Sequence, residues 1–271
     1  MGIKDIIKNN PHLSCVAYNA LNAKIAYRQQ RENQDVLNKI QVYKNKYQGK
    51  RCFIIGTGPS LTVTDLEMIK DEYSFGTNRI FELFSKTTWR PTFYVNQDHD
   101  LIKRHMKTIS ELEIEHKFVP IEYKKDFGVD KMNFFVLRHQ EFYPKAAPFS
   151  RNIEKYLAQG FTVTYGAIQL AVYMGFSEIY LLGIDHNYAV TRDSKGNIIK
   201  TNNGKQGYAV GMSDYINMNN LPRIEETTIA FETAECLSYK YNFRIYNCTR
   251  GGKLEAFERK LLEDVIFEKG E

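Results

Sequence analysis

The chain has 271 residues, 43% of them hydrophobic and 25% charged, which is typical of a globular protein with a substantial core. Its net charge of +5 is uneven: residues 1–51 hold ten Lys or Arg against three Asp or Glu, which gives +7 and leaves −2 for residues 52–271. The larger part is therefore not a basic nucleic-acid-binding surface. No apolar run approaches the roughly 20 residues that a membrane span needs.

Residues 1–48 are predicted to form two helices outside the main sheet, because apolar residues recur at three- to five-residue spacings and Pro11 marks a break. The basic surplus of this arm fits a peripheral contact with anionic lipid or with an anionic glycan. A solvated helical face, or a subunit contact in a homo-oligomer, explains the surplus more simply.

The four cysteines form neither a CxxC pair nor a metal-ligand spacing, so we expect free thiols. Cys52 and Cys248 lie in predicted strands, where a buried thiol acts as a small apolar side chain. Free thiols and the lack of a signal-peptide pattern favour a cytoplasmic location for the protein. Any membrane contact of the basic arm would then be at the inner face.

A short apolar strand after the arm runs into a glycine turn made of Gly56, Thr57, Gly58, Pro59 and Ser60. In α/β proteins such a turn brings backbone N–H groups to a phosphate, and glycine leaves room for the turn and for the ligand. Pro59 suits a first helical turn that Ser60 can cap.

Two familiar phosphate loops are excluded at this turn. The Walker pattern needs a lysine directly after its second glycine, and the first lysine after Gly58 is Lys70. The dinucleotide fingerprint needs a third glycine, and Leu61 stands at that position. The turn therefore predicts a nucleotide or sugar phosphate, with a plain strand-to-helix turn as the alternative.

Strands and helices alternate beyond residue 51, which predicts an α/β, Rossmann-like fold with a mostly parallel sheet and helices on both faces. The predicted strands are Cys52–Ile55, Tyr73–Thr77, Thr92–Asn96, Lys117–Ile121, Asn133–Leu137, Glu178–Gly183 and Arg244–Cys248. The predicted helices are Leu61–Lys70, Leu101–Leu112, Gly166–Met174, Glu225–Tyr241 and Phe257–Phe267. We expect a helical arm at 1–48 and a nucleotide-binding catalytic domain at 49–271.

The segment 186–222 is polar and dotted with glycines, and it lacks apolar periodicity. A loop of this length inside a compact α/β domain is unusual and often forms a lid or an acceptor-binding segment. We predict a lid over the site, with disorder as the alternative.

Polar residues follow several predicted strands, and the parallel sheet would bring these strand ends together. The residues concerned are Asn78, Asn96, Gly183, Asp185, His186 and Tyr188, with Thr162 and Thr164 at the start of a helix. His186 could act as a base or bind phosphate, although a histidine at a loop start is more often structural. Asp98 and Asp100 resemble a pair that holds a divalent cation such as Mg²⁺, a weak signal because such pairs arise often by chance.

The glycine turn, both strand-end asparagines and the stretch TVTYGAIQLAVYMGFSEIYLLGIDHNY resemble two related groups. One is glycosyltransferase family 42, the bacterial lipooligosaccharide sialyltransferases. The other is the family typified by archaeal 6-hydroxymethylpterin diphosphokinase, which the ending IYNCTRGGKLEAFER resembles most. The resemblance covers roughly residues 50–260.

The sialyltransferase resemblance implies roles for particular residues. It implies that Gly56 to Ser60, Asn78 and Asn96 hold a CMP-sugar and that Tyr188 contacts the departing phosphate. The Thr-Ser pair of that family falls at Thr162 or at Thr164. It also implies an inverting reaction that needs no metal to bind the donor. The sequence departs from that family at the general base, because residues 187–222 contain no histidine and Asp214 or Tyr215 occupies the approximate position.

Three functions follow from these observations. The first is a glycosyltransferase that uses a CMP-sugar or related nucleotide-sugar and a glycan or glycolipid acceptor in surface-glycan assembly, with Asp214 or His186 taking the acceptor proton. The second is a diphosphokinase-like enzyme that transfers diphosphate from ATP or GTP, with Asp98, Asp100 and Asp185 as Mg²⁺ ligands. The third is a non-catalytic nucleotide-binding assembly protein.

Overall fold

The computed structural model describes residues 11–201, 208, 209, 212 and 221–267. Its centre is a sheet of eight strands in the order β12-β11-β8-β1-β2-β3-β4-β5. The strands of the described residues are β1 Arg51–Ile55, β2 Ser74–Thr77, β3 Phe93–Val95, β4 His116–Pro120, β5 Asn133–Phe135, β6 Leu137–Arg138, β7 Leu157–Ala158, β8 Glu178–Leu182, β9 Val190–Arg192, β10 Ile198–Lys200, β11 Arg244–Asn247 and β12 Glu258–Arg259.

Every pair in the large sheet is parallel, which confirms the predicted α/β, Rossmann-like fold. The chain builds β1 to β5 outward in one direction and then returns to place β8 on the other side of β1. The direction of winding therefore reverses between β1 and β8. Open α/β sheets bind their ligands in the crevice beyond the carboxyl ends of strands at such a point.

Helices cover both faces of this sheet. The α-helices of the described residues are Pro11–Glu32, Gln34–Asn38, Val63–Met68, His99–Arg104, Met106–Glu111, Lys124–Phe127, Val163–Met174, Ile224–Tyr241 and Leu262–Phe267. Short 3-10 helices occupy Lys39–Tyr43, Ile80–Leu83 and Ile121–Tyr123. Within the described ranges, none of these helices combines the length and the apolar composition of a membrane span.

Two hydrophobic clusters lie on opposite faces of the sheet. Phe93 and Val95 of β3 belong to the cluster that includes the helix Val163–Met174, and Tyr94 belongs to the opposite one. This alternation is the two-residue period of a strand. Cys52 and Cys248 are buried free thiols, as predicted, although β11 ends one residue before Cys248.

Several predicted helices differ from the structure. The segment Leu101–Leu112 is two helices, because His105 leaves helical geometry at φ −113° and its ring packs 5.5 Å from that of Phe81. The predicted helix Phe257–Phe267 begins with β12 and becomes helical only at Leu262. Short apolar runs do not distinguish a strand from a helix, which explains the second error.

The predicted N-terminal arm begins its described part with a helix at Pro11, a residue suited to a first helical turn. The end of the predicted arm packs against the main core, because Leu37, Ile40, Tyr43 and Tyr47 are buried, whereas Val42 is exposed. The ring of Tyr47 stacks on that of Phe176 with centroids 4.9 Å apart. The domain boundary at residue 48 stays a prediction.

The segment 186–222 contains structure that the sequence did not predict. The strands β9 and β10 pair antiparallel as a hairpin over residues 190–200. Beyond it, the backbone N–H of Ala209 donates to the carbonyl of Thr57 in the glycine turn at 3.0 Å. The described part of this segment therefore contacts the glycine turn, and its role as a lid stays a prediction.

Candidate functional site

A cavity of about 290 Å³ lies at the carboxyl ends of β1, β2, β3 and β8, where the winding reverses. Its size is near the lower end of the roughly 300–1,000 Å³ typical of small-molecule sites. Among the described residues it is lined by Gly56, Thr57, Gly58, Pro59, Thr77, Asn78, Gln97, Asp98, Gln159, Phe161, Thr162, Val163, Thr164, Gly183, Ile184, Asp185, His186, Asn187, Tyr188, Tyr208, Leu221, Pro222, Arg223, Thr227 and Phe231.

The glycine turn forms one wall, but much of its hydrogen-bonding capacity is used within the protein. The N–H of Gly56 donates to Leu182 O at 2.8 Å, and that of Gly58 donates to Gly183 O at 2.9 Å. Ser60 donates to Asp185 Oδ2 from its hydroxyl at 2.7 Å and from its N–H at 3.3 Å. The turn is therefore bonded to the loop after β8.

The glycines are required by this contact between loops. A Cβ at Gly58 would lie 2.0 Å from Asp185 Oδ2, and one at Gly56 would lie 2.5 Å from Gly183 O. The neighbouring loop is thus one reason for the glycines, and their role in leaving room for a ligand stays a prediction. The expected cap at Ser60 is wrong: Thr62 caps the helix Val63–Met68 in a capping box with Asp65.

Asp185 lies at the centre of these loops. Its carboxylate accepts both bonds from Ser60, and its carbonyl accepts a 2.8 Å bond from the N–H of Lys253. The preceding residue, Ile184, is also hydrogen-bonded to this neighbouring segment: its backbone N–H donates to Thr249 Oγ1 at 3.1 Å. Asp185 lines the cavity while being only 8% exposed, so it is a fixed hydrogen-bond acceptor there.

The two strand-end asparagines occupy different positions. Asn78 lines the cavity with a left-handed backbone at φ 51°, a conformation that asparagine tolerates. Asn96 is completely buried, accepts the N–H of Asp98 at 2.9 Å and donates to the hydroxyl of Tyr94 at 3.1 Å. It is not among the lining residues, and its contacts order the turn after β3.

Gln97, the next residue, lines the cavity instead. Side chains alternate along β3, so Asn96 lies on the face of Tyr94 while Gln97 lies on the face of the helix Val163–Met174. Its Nε2 donates to Gln159 O at 2.9 Å, which fixes the orientation of the amide. The two-residue period of the strand was the signal that could have selected Gln97 from the sequence.

The helix Val163–Met174 begins at the cavity. Thr162 is its N-cap and lines the cavity together with Thr164, as the sequence predicted that they would lie together. The first turn contains no acidic residue, so the partial positive charge of the helix N-terminus is not neutralised within its own first turn. This end of the helix suits an anionic group such as a phosphate.

Tyr188 contributes a hydroxyl that is protonated at neutral pH. Its side chain is 41% exposed, yet desolvation around the hydroxyl, with the charge of Asp185, raises the pKa to about 12. A protonated phenol can donate a hydrogen bond to a phosphate oxygen. The structure thus brings Tyr188, Thr162 and Thr164 to the same cavity.

His186 lines the cavity with a neutral ring. Burial lowers its pKa from 6.5 to about 4. Its Nε2 lies 2.8 Å from Thr228 Oγ1, whose own proton is donated to Ile224 O at 2.7 Å. Nε2 therefore carries the proton and donates it, which leaves Nδ1 as an acceptor. A base with so low a pKa removes protons poorly at neutral pH.

Arg223 is the cationic side chain that lines the described part of the cavity. Its guanidinium binds Glu141 through two 2.7 Å bonds, pairs with the fully buried Glu226 and lies 4.0 Å over the ring of Phe161. The charge of Arg223 is therefore balanced by two carboxylates. The sequence did not single out this residue, because its partner Glu141 is far away along the chain.

Three amide oxygens at the cavity are buried and have no hydrogen-bond partner within the described part of the chain: Asn78 Oδ1, Gln97 Oε1 and Asn187 Oδ1. Native proteins pair nearly all such groups. Such acceptors at one cavity are able to receive hydrogen bonds from the donor groups of a ligand.

The remaining predicted residues divide into three cases. Asp98 lines the cavity, and its carboxylate caps the helix His99–Arg104 by accepting N–H bonds from Asp100 and Leu101. Asp100 lies in that helix and is not among the lining residues. Asp214 lies outside the described residues. Within the described ranges, no three His, Cys, Asp or Glu side chains come together as metal ligands.

Comparison with known structures supports the fold. The MAf glycosyltransferase from Magnetospirillum magneticum AMB-1 is similar over 85% of this chain, with 16% sequence identity and a TM-score of 0.50. The match covers 38% of that protein, so this chain corresponds to well under half of its length. At this identity the similarity concerns the fold alone. No curated protein sequence matches the chain.

Comparison with protein families gives a match over most of the region that forms the cavity. Residues 26–191 match the family described as 6-hydroxymethylpterin diphosphokinase MptE-like. The match includes the glycine turn, β2, β3, the helix Val163–Met174 and the loop after β8. It confirms the resemblance that the sequence motifs indicated. The chain belongs to the MptE-like family of 6-hydroxymethylpterin diphosphokinase-like proteins.

Proposed function

We propose that the protein is a glycosyltransferase that uses a CMP-sugar or a related nucleotide-sugar donor. One observation carries this proposal: the cavity combines hydrogen-bond donors suited to a phosphate with unpaired acceptors suited to hydroxyl or amino groups. A nucleotide-sugar presents both kinds of group within one molecule. The fold similarity to a glycosyltransferase and the family match are consistent with the proposal.

The phosphate would bind at the start of the helix Val163–Met174. There the helix N-terminus and the hydroxyls of Thr162, Thr164 and Tyr188 can stabilise the charge that develops on the departing phosphate. Donors that are already fixed by the fold need no reorganisation during the reaction. Arg223 would contribute less, because Glu141 and Glu226 balance its charge.

The hydroxyl and amino groups of the donor would bind to the opposite set of polar groups. Asn78, Gln97 and Asn187 supply unpaired amide oxygens, and Asp185 supplies a carboxylate. Asn96 would act indirectly, by holding the turn that carries Gln97. In this proposal Asp214 takes the acceptor proton, and neutral His186 positions a ligand group by accepting through Nδ1.

A binding experiment tests the nucleotide. We expect CMP to raise the melting temperature without added metal, since a ligand that binds only the folded protein stabilises it. Thr164→Val and Tyr188→Phe should each weaken CMP binding about tenfold, as expected for the loss of one hydrogen bond to an anion. The matched controls Thr108→Val and Tyr239→Phe change exposed residues outside the cavity lining and should leave CMP binding unchanged.

A second function is favoured by the family match and by two carboxylates at the same cavity. A diphosphokinase-like enzyme would bind ATP or GTP together with Mg²⁺, for which Asp98 and Asp185 are the candidate ligands. Stabilisation by ATP or GTP only with Mg²⁺, together with no effect of CMP, would replace the first proposal by this one. Stabilisation by no nucleotide would instead support a non-catalytic assembly protein.

The identity of the group that takes the acceptor proton is tested separately, by measuring the rate at which variants turn over the donor. Asp214→Ala should reduce turnover strongly if this carboxylate takes the acceptor proton, while His186→Gln should change the Michaelis constant more than the turnover number. Equal turnover in the wild-type protein and Asp214→Ala would refute the assignment of Asp214.

A further inference from the structure

The helix Pro11–Glu32 turns one face to the body of the protein. Asn19 fixes its orientation by donating to Glu141 O at 2.7 Å and accepting the N–H of Glu141 at 2.8 Å. Further along, Ala26 is buried and Gln29 donates to Glu122 Oε1 at 3.0 Å. These contacts determine which residues of the helix point away from the body.

The outer face of this helix has an apolar part and a basic part. We define it by residues that recur at helical spacing and are all exposed: Val16, Ala17, Ala20, Leu21, Lys24, Tyr27, Arg28 and Arg31. Val16, Leu21 and Tyr27 are 54%, 56% and 65% exposed. Bulky apolar side chains this exposed on one face of a helix are candidates for a binding surface.

The charge of the outer face indicates what it binds. Lys24, Arg28 and Arg31 give it three positive charges, and the first acidic residue of the helix is Glu32 at its last position. A second copy of the chain placed on the same face would bring basic residues together without acidic partners. An anionic bilayer surface instead offers acyl chains to the apolar residues and phosphates to the basic ones.

We propose that the outer face of the helix Pro11–Glu32 binds the surface of an anionic membrane, with Val16, Leu21 and Tyr27 entering the headgroup boundary. From Val16 to Arg31 the face is about 22 Å long, at about 1.5 Å per residue. The helix lies along the membrane plane and keeps its inner face on the protein. This inference is independent of the nucleotide that the cavity binds.

Co-sedimentation of the full chain with vesicles tests the proposal. We expect binding to vesicles of phosphatidylcholine mixed with phosphatidylglycerol and little binding to phosphatidylcholine alone. The variant Lys24→Glu/Arg28→Glu/Arg31→Glu should lose at least about 100-fold in binding to the mixed vesicles, since each basic residue near an anionic surface contributes about fivefold and the new carboxylates are repelled. Val16→Ser/Leu21→Ser should bind more weakly to the same vesicles.

The control carries the same charge change elsewhere. Lys70→Glu/Lys86→Glu/Lys107→Glu alters exposed lysines outside this helix and should retain most of the vesicle binding. Thermal melting confirms that each variant is folded. Equal loss in the control and the helix variant would overturn the proposal, as would no binding to the mixed vesicles. Light scattering that shows a dimer abolished by Val16→Ser/Leu21→Ser would assign the face to a second copy instead.

Discussion

Ser60 Oγ donates a 2.7 Å hydrogen bond to Asp185 Oδ2, which joins the glycine turn after β1 to the loop after β8. The two residues are far apart along the chain, and their strands are neighbours at the point where the winding reverses. The bond therefore fixes both walls of the cavity relative to each other. It also keeps the Asp185 carboxylate in place before any ligand binds.

Adding a methyl group at Gly58 should separate the two loops. In Gly58→Ala the new Cβ would meet Asp185 Oδ2 at 2.0 Å, and we expect a loss of about 1–3 kcal/mol in the free energy of unfolding. Nucleotide affinity should fall at least about tenfold as well. The control Gly49→Ala meets no atom within 4 Å but has φ +73°, so it should lose stability without losing affinity. Both quantities are measured by urea unfolding and calorimetric titration.

Removing Arg223 should destabilise the protein strongly. Arg223→Ala leaves the fully buried Glu226 without its cation, which typically costs about 3–5 kcal/mol in the free energy of unfolding. The double variant Arg223→Met/Glu226→Gln removes both charges and should be clearly more stable than the single variant. If urea unfolding gives equal stabilities for the two variants, an unpaired charge on Glu226 is not the cause of the loss.

Acid should destabilise the fold through His186. The folded protein holds the pKa at about 4, while the unfolded chain takes up the proton near 6.5, so the unfolded state binds more protons between these values. The contribution of His186 to the free energy of unfolding is fully present above pH 6.5. It decreases as the pH falls towards 4, by about 3 kcal/mol in all. Urea unfolding from pH 7 to pH 4 should show a smaller decrease in His186→Gln than in the wild-type protein. Identical pH dependence of the two proteins would contradict this prediction.

Gln97 should affect binding more than stability. Gln97→Met keeps the approximate volume and removes the unpaired oxygen together with the Nε2 bond to Gln159 O, so the free energy of unfolding should fall by only about 0.5–1.5 kcal/mol. Nucleotide-sugar affinity should fall about tenfold if that oxygen accepts a bond from the ligand. Calorimetric titration measures the affinity, and Gln48→Met is a control because Gln48 is exposed and lies outside the cavity lining. An unchanged affinity in Gln97→Met would exclude Gln97 as a binding residue.

The sequence was sufficient for the order of most elements and for the position of the cavity. Alternating apolar runs and polar strand ends predict a parallel sheet, and the sheet brings Asn78, Thr162, Asp185 and Tyr188 together. Thr162 and Thr164 were placed correctly because an N-cap has a local sequence signal.

The contacts between loops could not be predicted in the same way. The glycines of the turn are explained by Gly183 and Asp185, and Arg223 is explained by Glu141, all distant along the chain. Single-sequence patterns report local periodicity and do not report which distant residues meet. Asn96 and Gln97 are a different case, because the alternation of side chains along β3 is itself a local signal and places only Gln97 on the face of the helix Val163–Met174.

The loop after β8 also has neighbours on its other side. Ile184 N is bonded to Thr249 Oγ1, and the carbonyl of Asp185 is bonded to Lys253 N, while the glycine turn holds the carboxylate. Three chain segments thus share one set of hydrogen bonds. A designer who wished to transplant the glycine turn of a related protein would have to exchange all three segments together, since a new turn alone would meet the wrong partners.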